Sequence, residues 1–154
     1  MPAVEWTSHY ATLYRNYLAA APEDSGIPDL TVLPKRKQDD TAKLKRPRII
    51  VTCEARESNH RAIFAGRVKI TLGIQLTKDG EEPAEAALWL AAIDAWLRDE
   101  AKWKAFIQSL SIAERTGWAF MHAPRIGPLE TDTDEEKHTR DFTIPLDLRA
   151  LAKR

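Results

Sequence analysis

The sequence predicts an α+β fold: a mainly antiparallel sheet of about four strands, with one long helix packed on one face and an N-terminal helix. Two strands are indicated by alternation, in RVKITLGIQL (67–76) and RDFTIPLDL (140–148), where apolar side chains occupy every second position. Between them, EAALWLAAIDAWL (85–97) repeats apolar residues at helical spacing. Strands on both sides of a helix, with hairpin-type links, are typical of α+β folds.

The 154 residues predict one domain, 1–154, made of an N-terminal helix (1–21), an extended basic loop (22–47) and an α+β core (48–154). The 23 basic and 23 acidic residues balance, so bulk charge does not draw the molecule to nucleic acid or membrane. No apolar run is long enough to span a bilayer, and the first residues do not form a signal-peptide pattern. We therefore expect an intracellular or particle-associated protein.

An aromatic stripe runs along the predicted N-terminal helix. Tyr10, Tyr14 and Tyr17 recur at three- and four-residue steps and so lie on one helical face. The stripe either packs in the core or faces a partner, because a tyrosine keeps a polar tip on an apolar ring. We expect these three tyrosines to contribute to a subunit interface.

The next segment, 22–47, is predicted to be extended. Its prolines (Pro22, Pro28, Pro34 and Pro47) disfavour a helix, and connections of this length are usually functional or mobile. We expect five of its basic residues to contact a partner: Lys35, Arg36, Lys37, Lys43 and Lys45. They would contact phosphates without reading bases, or an acidic neighbour. The alternative is that segment 22–47 is a solvent-exposed connection without a binding role.

A strand that precedes RVKITLGIQL is predicted from Ile49, Val51 and Cys53, which share one face. The two strands should be antiparallel neighbours. If the long helix covers their apolar face, the other face must meet water or another subunit. Thr71 and Gln75 lie on that second face, so we expect both to contribute to subunit contacts.

The remaining elements are predicted from local signals. A helix break near Arg98–Lys102 should separate the main helix from a shorter one that contains Trp103 and Phe106. Residues 111–130 should form a strand interrupted by glycine and proline, and TDTDEEKH (131–138) should be an acidic, polar loop. Pro145 favours an edge strand or a bulge for the last strand.

Residues with catalytic or ligand chemistry are sparse. The four histidines do not stand at zinc-ligand spacing, and one cysteine cannot build a thiolate site, so we expect no metal, no cofactor and no enzymatic activity. One alternative is a small hydrolase that uses Glu54, Glu57 or His60. Another is a nucleic-acid-binding module that uses the basic loop.

The order of elements resembles that of the tail-terminator and neck proteins of long-tailed bacteriophages. The resemblance lies in an N-terminal helix, a long proline-containing segment, RPRIIVTCEA, GRVKITLGIQL, the Ala- and Trp-rich EAALWLAAIDAWL, and RDFTIPLDL. It covers most of the chain from Pro47 onward. The family has no catalytic motif from which a residue role could be transferred.

This resemblance implies a structural virion protein that assembles in the host cytoplasm and takes its place in the phage neck. Such proteins form a homo-oligomeric ring, commonly a hexamer, which caps the tail tube, stops its polymerisation and offers a docking surface to the head. The implied partners are further copies of the chain, the tail-tube protein and a neck or head-completion protein. Double-stranded DNA passes through the lumen without sequence-specific contact, and the resemblance implies that the five basic residues of the long loop face this lumen or an adjoining ring. Another neck adaptor or a tail-tube component would share the same pattern.

Overall fold

A computed structural model describes residues 3–27, 32–33, 46–56, 63–110, 118–120 and 125–152. The three α-helices are α1 (Ala3–Ala19), α2 (Ala86–Arg98) and α3 (Glu100–Ser109). The strands are β1 (Val32–Leu33), β2 (Arg48–Arg56), β3 (Ile63–Gln75), β4 (Trp118–Phe120), β5 (Arg125–Ile126), β6 (Glu130–Asp134) and β7 (Thr139–Ala152).

The sheet is built on the antiparallel pairing of β3 with β7. Their register runs from Ile63 opposite Leu151 to Gln75 opposite Thr139. On the far side of β3, β2 pairs antiparallel with it, and the short β1 adds a parallel pair at that edge. On the far side of β7, β6, β5 and β4 pair with it one after another. The predicted α+β class with a mainly antiparallel sheet is confirmed, but the open sheet has five strand positions instead of four.

Proline in β7 explains why the strand beside it is interrupted. Of the two alternatives predicted from Pro145, the edge strand is wrong, because β7 lies between β3 and the β4–β6 segments. The bulge is present in the pairing beside it, since four steps from Ile126 to Glu130 face three steps from Leu146 to Thr143. The Pro145 carbonyl accepts a hydrogen bond from the Gly127 N–H (2.8 Å), so the Pro145 nitrogen also points to this side. Residues 127–129, between β5 and β6, therefore lie where β7 has no N–H to donate. Gly127 leaves room for the proline ring, since a Cβ there would lie 3.1 Å from Pro145 Cγ.

The acidic segment contains a strand that the sequence analysis missed. Glu130–Asp134 forms β6, whereas TDTDEEKH was predicted to be a loop. Every residue of β6 is exposed, so no apolar alternation marks it in the sequence. Its backbone nevertheless gains hydrogen-bond partners along β7, from Glu130 opposite Thr143 to Asp134 opposite Thr139.

The helical region after β3 is not one long helix. It divides at Asp99, whose extended backbone ends α2 and whose side chain accepts a hydrogen bond from the Lys102 N–H (3.1 Å) at the start of α3. This break lies in the predicted range Arg98–Lys102. Glu100 follows in the first turn of α3, where a negative charge suits the helix dipole.

The core lies between the sheet and the three helices. Ile93 and Leu97 of α2 belong to one buried cluster with the inward-facing residues of β2, β3 and β7. That sheet contribution comprises Ile49, Val51, Cys53, Val68, Ile70, Leu72, Ile74, Phe142, Ile144, Leu146 and Leu148. The alternation in each strand therefore predicted the buried face correctly.

The tyrosine stripe of α1 is part of this core. Tyr10, Tyr14 and Tyr17 are buried within the chain, so they do not form the surface for a second subunit that we expected. The Tyr17 hydroxyl donates to the Trp96 carbonyl (2.8 Å), and the Trp96 indole N–H donates to the Tyr17 carbonyl (2.9 Å). Tyr14 stacks on Trp103 with ring centroids 4.7 Å apart. The sequence did not distinguish the two interpretations because α2 and α3 supply the aromatic partners.

Burial also changes the acidity of these phenols. Burial, together with the nearby Asp99 carboxylate, raises the pKa of Tyr17 to about 12. Burial is the main cause that raises the pKa of Tyr14 well above its ordinary value. Both hydroxyls therefore stay protonated at neutral pH, and Tyr17 remains a hydrogen-bond donor to α2.

Two substitutions on α2 test where this helix packs. Ile93 is fully buried, whereas Leu88 on the same helix is 70 % exposed. Ile93→Ala should lower the free energy of unfolding by about 2–5 kcal/mol, because it removes buried methyl groups and leaves a cavity. Leu88→Ala is the matched control and should change it by less than about 0.5 kcal/mol. Urea unfolding measures both, and equal effects would contradict the placement of α2.

Candidate interaction surface

The face of the sheet opposite the helices carries charged residues from all three long strands. The register of β2, β3 and β7 places alternate residues there, and we call this surface the charged face. Its charged members on these strands are Arg48, Glu54, Arg56, Arg67, Lys69, Asp141, Asp147 and Arg149. None of the helices described in the structure covers this face.

One corner of the charged face is organised by a glycine. The Arg46 guanidinium donates to the Asp141 carboxylate (2.6 Å) and lies near the carbonyls of Ile74 and Arg140 (3.4 and 3.5 Å). The Arg46 side chain is only 13 % exposed. A Cβ on Gly73 would lie 2.9 Å from the Asp141 oxygen and closer still to the guanidinium. Gly73 thus makes room for an ion pair on the sheet surface.

A second group of charges lies along β2, β3 and β7 at the other end of the face. Arg67 binds Asp147 through two nitrogens (2.9 and 3.4 Å), and Arg56 lies 3.6 Å from the same carboxylate. The hydrogen bond from Arg67 holds the pKa of Asp147 below its ordinary value, although partial burial opposes this effect. The same hydrogen bond raises the pKa of Arg67. Lys69 and Glu54 form a looser pair at 3.5 Å.

Around Asp147 the arginines outnumber the carboxylates. A shallow groove of about 430 Å³ is lined by Arg56, Arg67, Arg125 and Arg149 together with Asp147, and we call it the arginine groove. Strand pairing brings these arginines together. Arg125 of β5 is opposite Asp147 of β7. Ala65 of β3 is opposite both Arg149 of β7 and Arg56 of β2. The sequence analysis singled out neither Arg125 nor Arg149, because each is an isolated arginine in the chain.

Negative charge collects at the opposite end of β7. The strand β6 and the turn after it carry five exposed carboxylates, which we call the acidic strand–turn: Glu130, Asp132, Asp134, Glu135 and Glu136. Lys137 is the basic residue within this turn. The pairing of Asp134 with Thr139 and of Arg125 with Asp147 fixes the two ends eight residues apart along β7, or roughly 27 Å. The charged face therefore has an excess of positive charge at one end and an excess of negative charge at the other.

Thr71 and Gln75, the predicted interface residues of β3, lie on this face. Thr71 lies between the two ends, and Gln75 lies at the acidic end, opposite Thr139. The Thr71 hydroxyl lies 3.0 Å from the Thr143 hydroxyl across the β3–β7 pair. The exposed Gln75 amide donates to the carbonyls of His138 (2.7 Å) and Lys137 (3.2 Å). Gln75 thus holds the turn that precedes β7, and whether either residue also meets another subunit stays a prediction.

Other candidate residues from the sequence fall elsewhere. The five basic residues of the long loop, Lys35, Arg36, Lys37, Lys43 and Lys45, lie outside the described residues. Glu57 and His60 also lie outside them. Cys53 is buried, and Glu54 is exposed beside Lys69. Of the three residues named for the hydrolase alternative, Glu54 alone lies among the described residues, so that alternative stays a prediction.

In the part of the chain that the structure describes, no three or more His, Cys, Asp or Glu side chains are grouped to hold a metal ion. Among the described residues, no helix combines the length and apolar character needed to cross a bilayer. The sequence matches no protein-family model, and no curated protein matches it significantly.

The role of Gly73 can be measured with a double-mutant cycle. Arg46→Ala and Asp141→Ala, singly and together, should give a coupling energy of about 1 kcal/mol, because the pair is partly shielded from water. The same cycle in a Gly73→Ala background should give almost none, since the added methyl group displaces the guanidinium. Urea unfolding supplies the free energies. An unchanged coupling energy in the Gly73→Ala background would show that the glycine is not needed for the pair.

Asp147 should make stability depend on pH. A carboxyl whose pKa is lowered by folding stabilises the native state above its unfolded pKa, and this contribution is lost as pH falls through the folded pKa. Asp147→Asn should therefore cost at most about 1 kcal/mol at neutral pH, since the pair is half-exposed. The difference between the two proteins should vanish in acid, once the pH is below the lowered pKa of Asp147 in the folded protein. Unfolding curves over this pH range measure it, and a difference that persists in acid would assign the cost to packing.

Proposed function

We propose that the protein is a structural component of a long-tailed bacteriophage: a tail terminator that forms a homo-oligomeric ring at the head–tail junction. The observation that carries the proposal is the charged face, a broad sheet surface that no described helix covers and that has opposite charges at its two ends. Such a surface suits association with another protein more than it suits a closed small-molecule site. The resemblance in the order of elements supplies the biological setting.

A ring places a specific demand on its subunit. Head-to-tail assembly needs two different complementary patches on each protomer, and it closes when the rotation between neighbours completes a circle. The arginine groove and the acidic strand–turn are two such patches on one chain. A closed ring would also protect the edge strand β6, whose exposed backbone could otherwise pair with unrelated strands.

The partners follow from the position that we propose. One end of the ring would cap the tail tube and stop its growth, and the other would dock to a neck or head-completion protein. The resemblance implies six subunits and a lumen through which double-stranded DNA passes. The basic residues between Lys35 and Lys45 are proposed to contact this DNA or the adjoining ring, with strength that falls as salt rises.

A nucleic-acid-binding module is the second candidate, and the arginine groove is the observation that favours it. Four arginines around one carboxylate leave a local excess of positive charge that phosphate groups could neutralise. In this alternative the chain would bind as a monomer. The two candidates therefore differ in the mass of the functional species.

Mass and shape in solution test the proposed ring. We expect light scattering after size-exclusion chromatography to give a fixed multiple of the 17.4 kDa chain mass, and electron micrographs to show rings with a central hole. Addition of the rings to growing tail tubes should stop elongation. A chain that stays monomeric at all accessible concentrations, with and without tail tubes, would contradict the proposal.

A further inference from the structure

The arginine groove has more positive charge than the described residues of its own chain neutralise. Arg56 and Arg67 share the Asp147 carboxylate. Arg125 and Arg149 are exposed, and within the described residues neither lies within 4 Å of a carboxylate. A guanidinium has a planar set of donors that matches a carboxylate with two parallel hydrogen bonds. The groove is thus built to take further carboxylates.

The acidic strand–turn has more negative charge than the described residues around it neutralise. Among the described residues, none of its five carboxylates lies within 4 Å of a lysine or arginine nitrogen. Asp134 is the one that accepts a hydrogen bond there, from the Lys137 N–H (3.1 Å). The other four project from an exposed edge strand and its turn, where a partner can reach them from the side.

Most of the two surpluses cannot be neutralised within one chain. Glu130, opposite Thr143, lies nearest to the groove, and its charge acts on Arg67. Asp134, at the far end, is held roughly 27 Å from Arg125 along β7, whereas salt screens exposed charges beyond about 8 Å at physiological ionic strength. A second copy can bring its acidic strand–turn to the arginine groove of the first. The chain has no net charge, so two copies approach without overall repulsion.

We propose that the arginine groove of one copy binds the acidic strand–turn of a neighbouring copy, with Arg125 and Arg149 as the main anchors. The contact is head-to-tail, since each copy offers its groove to one neighbour and its acidic strand–turn to the other. This inference rests on the proposed ring and names the surfaces that join its subunits. A polyanion that ran along the charged face would meet the acidic strand–turn of the same chain, which disfavours nucleic acid as the occupant.

Charge reversal on each surface supplies the test. The groove variant is Arg125→Glu with Arg149→Glu, and the acidic variant is Asp132→Lys with Glu136→Lys. Each should weaken self-association at least tenfold, because like charges then face each other across the contact. Lys104→Glu, on an exposed position of α3, is the matched control and should leave association unchanged. Sedimentation velocity measures the species, and circular dichroism verifies that each variant is folded.

Mixing the two variants makes the test specific. The unaltered acidic strand–turn of the groove variant still fits the unaltered groove of the acidic variant, and the two reversed surfaces also complement each other. An equimolar mixture should therefore recover the wild-type association that each variant lacks. If the mixture does not recover wild-type association, the proposed pairing is overturned, even if each variant alone is monomeric.

The remaining outcomes separate this inference from the proposed function. If wild type is a ring and both variants remain rings, the inference fails while the proposed function stands. If wild type is monomeric under all conditions, the proposed function fails first and the inference fails with it. If the groove variant keeps its mass but loses retention of duplex DNA in a mobility-shift measurement, the groove is a phosphate site and the inference is overturned.

Discussion

The antiparallel pairing of β3 with β7 is the constraint on which the rest of the molecule depends. Because side chains alternate along a strand, one register decides both faces of the sheet at once. Val68 opposite Leu146 extends the core, and Arg67 opposite Asp147, the next pair along, forms an ion pair on the other face. A slip of one residue would move charge into the core and apolar side chains into water. The buried face thus fixes the geometry of the charged face.

All three helices lie on one side of this sheet, which leaves the charged face open. The aromatic contacts between α1 and the α2–α3 pair are the reason that the helices stay together there. Two reciprocal hydrogen bonds join Tyr17 to Trp96, and Trp103 packs against both Tyr14 and Tyr17. The polar tips of Tyr17 and Trp96 are hydrogen-bonded within the chain, so burial costs these two rings little. What remains for partners is the surface that the helices do not cover.

The interruption of the edge strand beside β7 separates the two charged surfaces of the proposed assembly. Pro145 removes a backbone donor in the middle of β7, and the chain beside it breaks at residues 127–129. The break separates β5, which carries Arg125 to the arginine groove, from β6, which carries the acidic strand–turn. One strand position therefore presents both signs of charge. An uninterrupted apolar edge strand would instead invite unselective pairing.

By itself, the sequence determined the fold class and the buried face of each long strand, because burial imposes a strict period on residues such as Ile70, Leu72 and Ile144. Only the tertiary structure decided where the tyrosines of α1 point and that Glu130–Asp134 is a strand. These depend on partners distant in the chain: the tryptophans of α2 and α3, and the backbone of β7. The arginine groove has the same origin, since Arg56, Arg125 and Arg149 are far apart in sequence and only strand register brings them together.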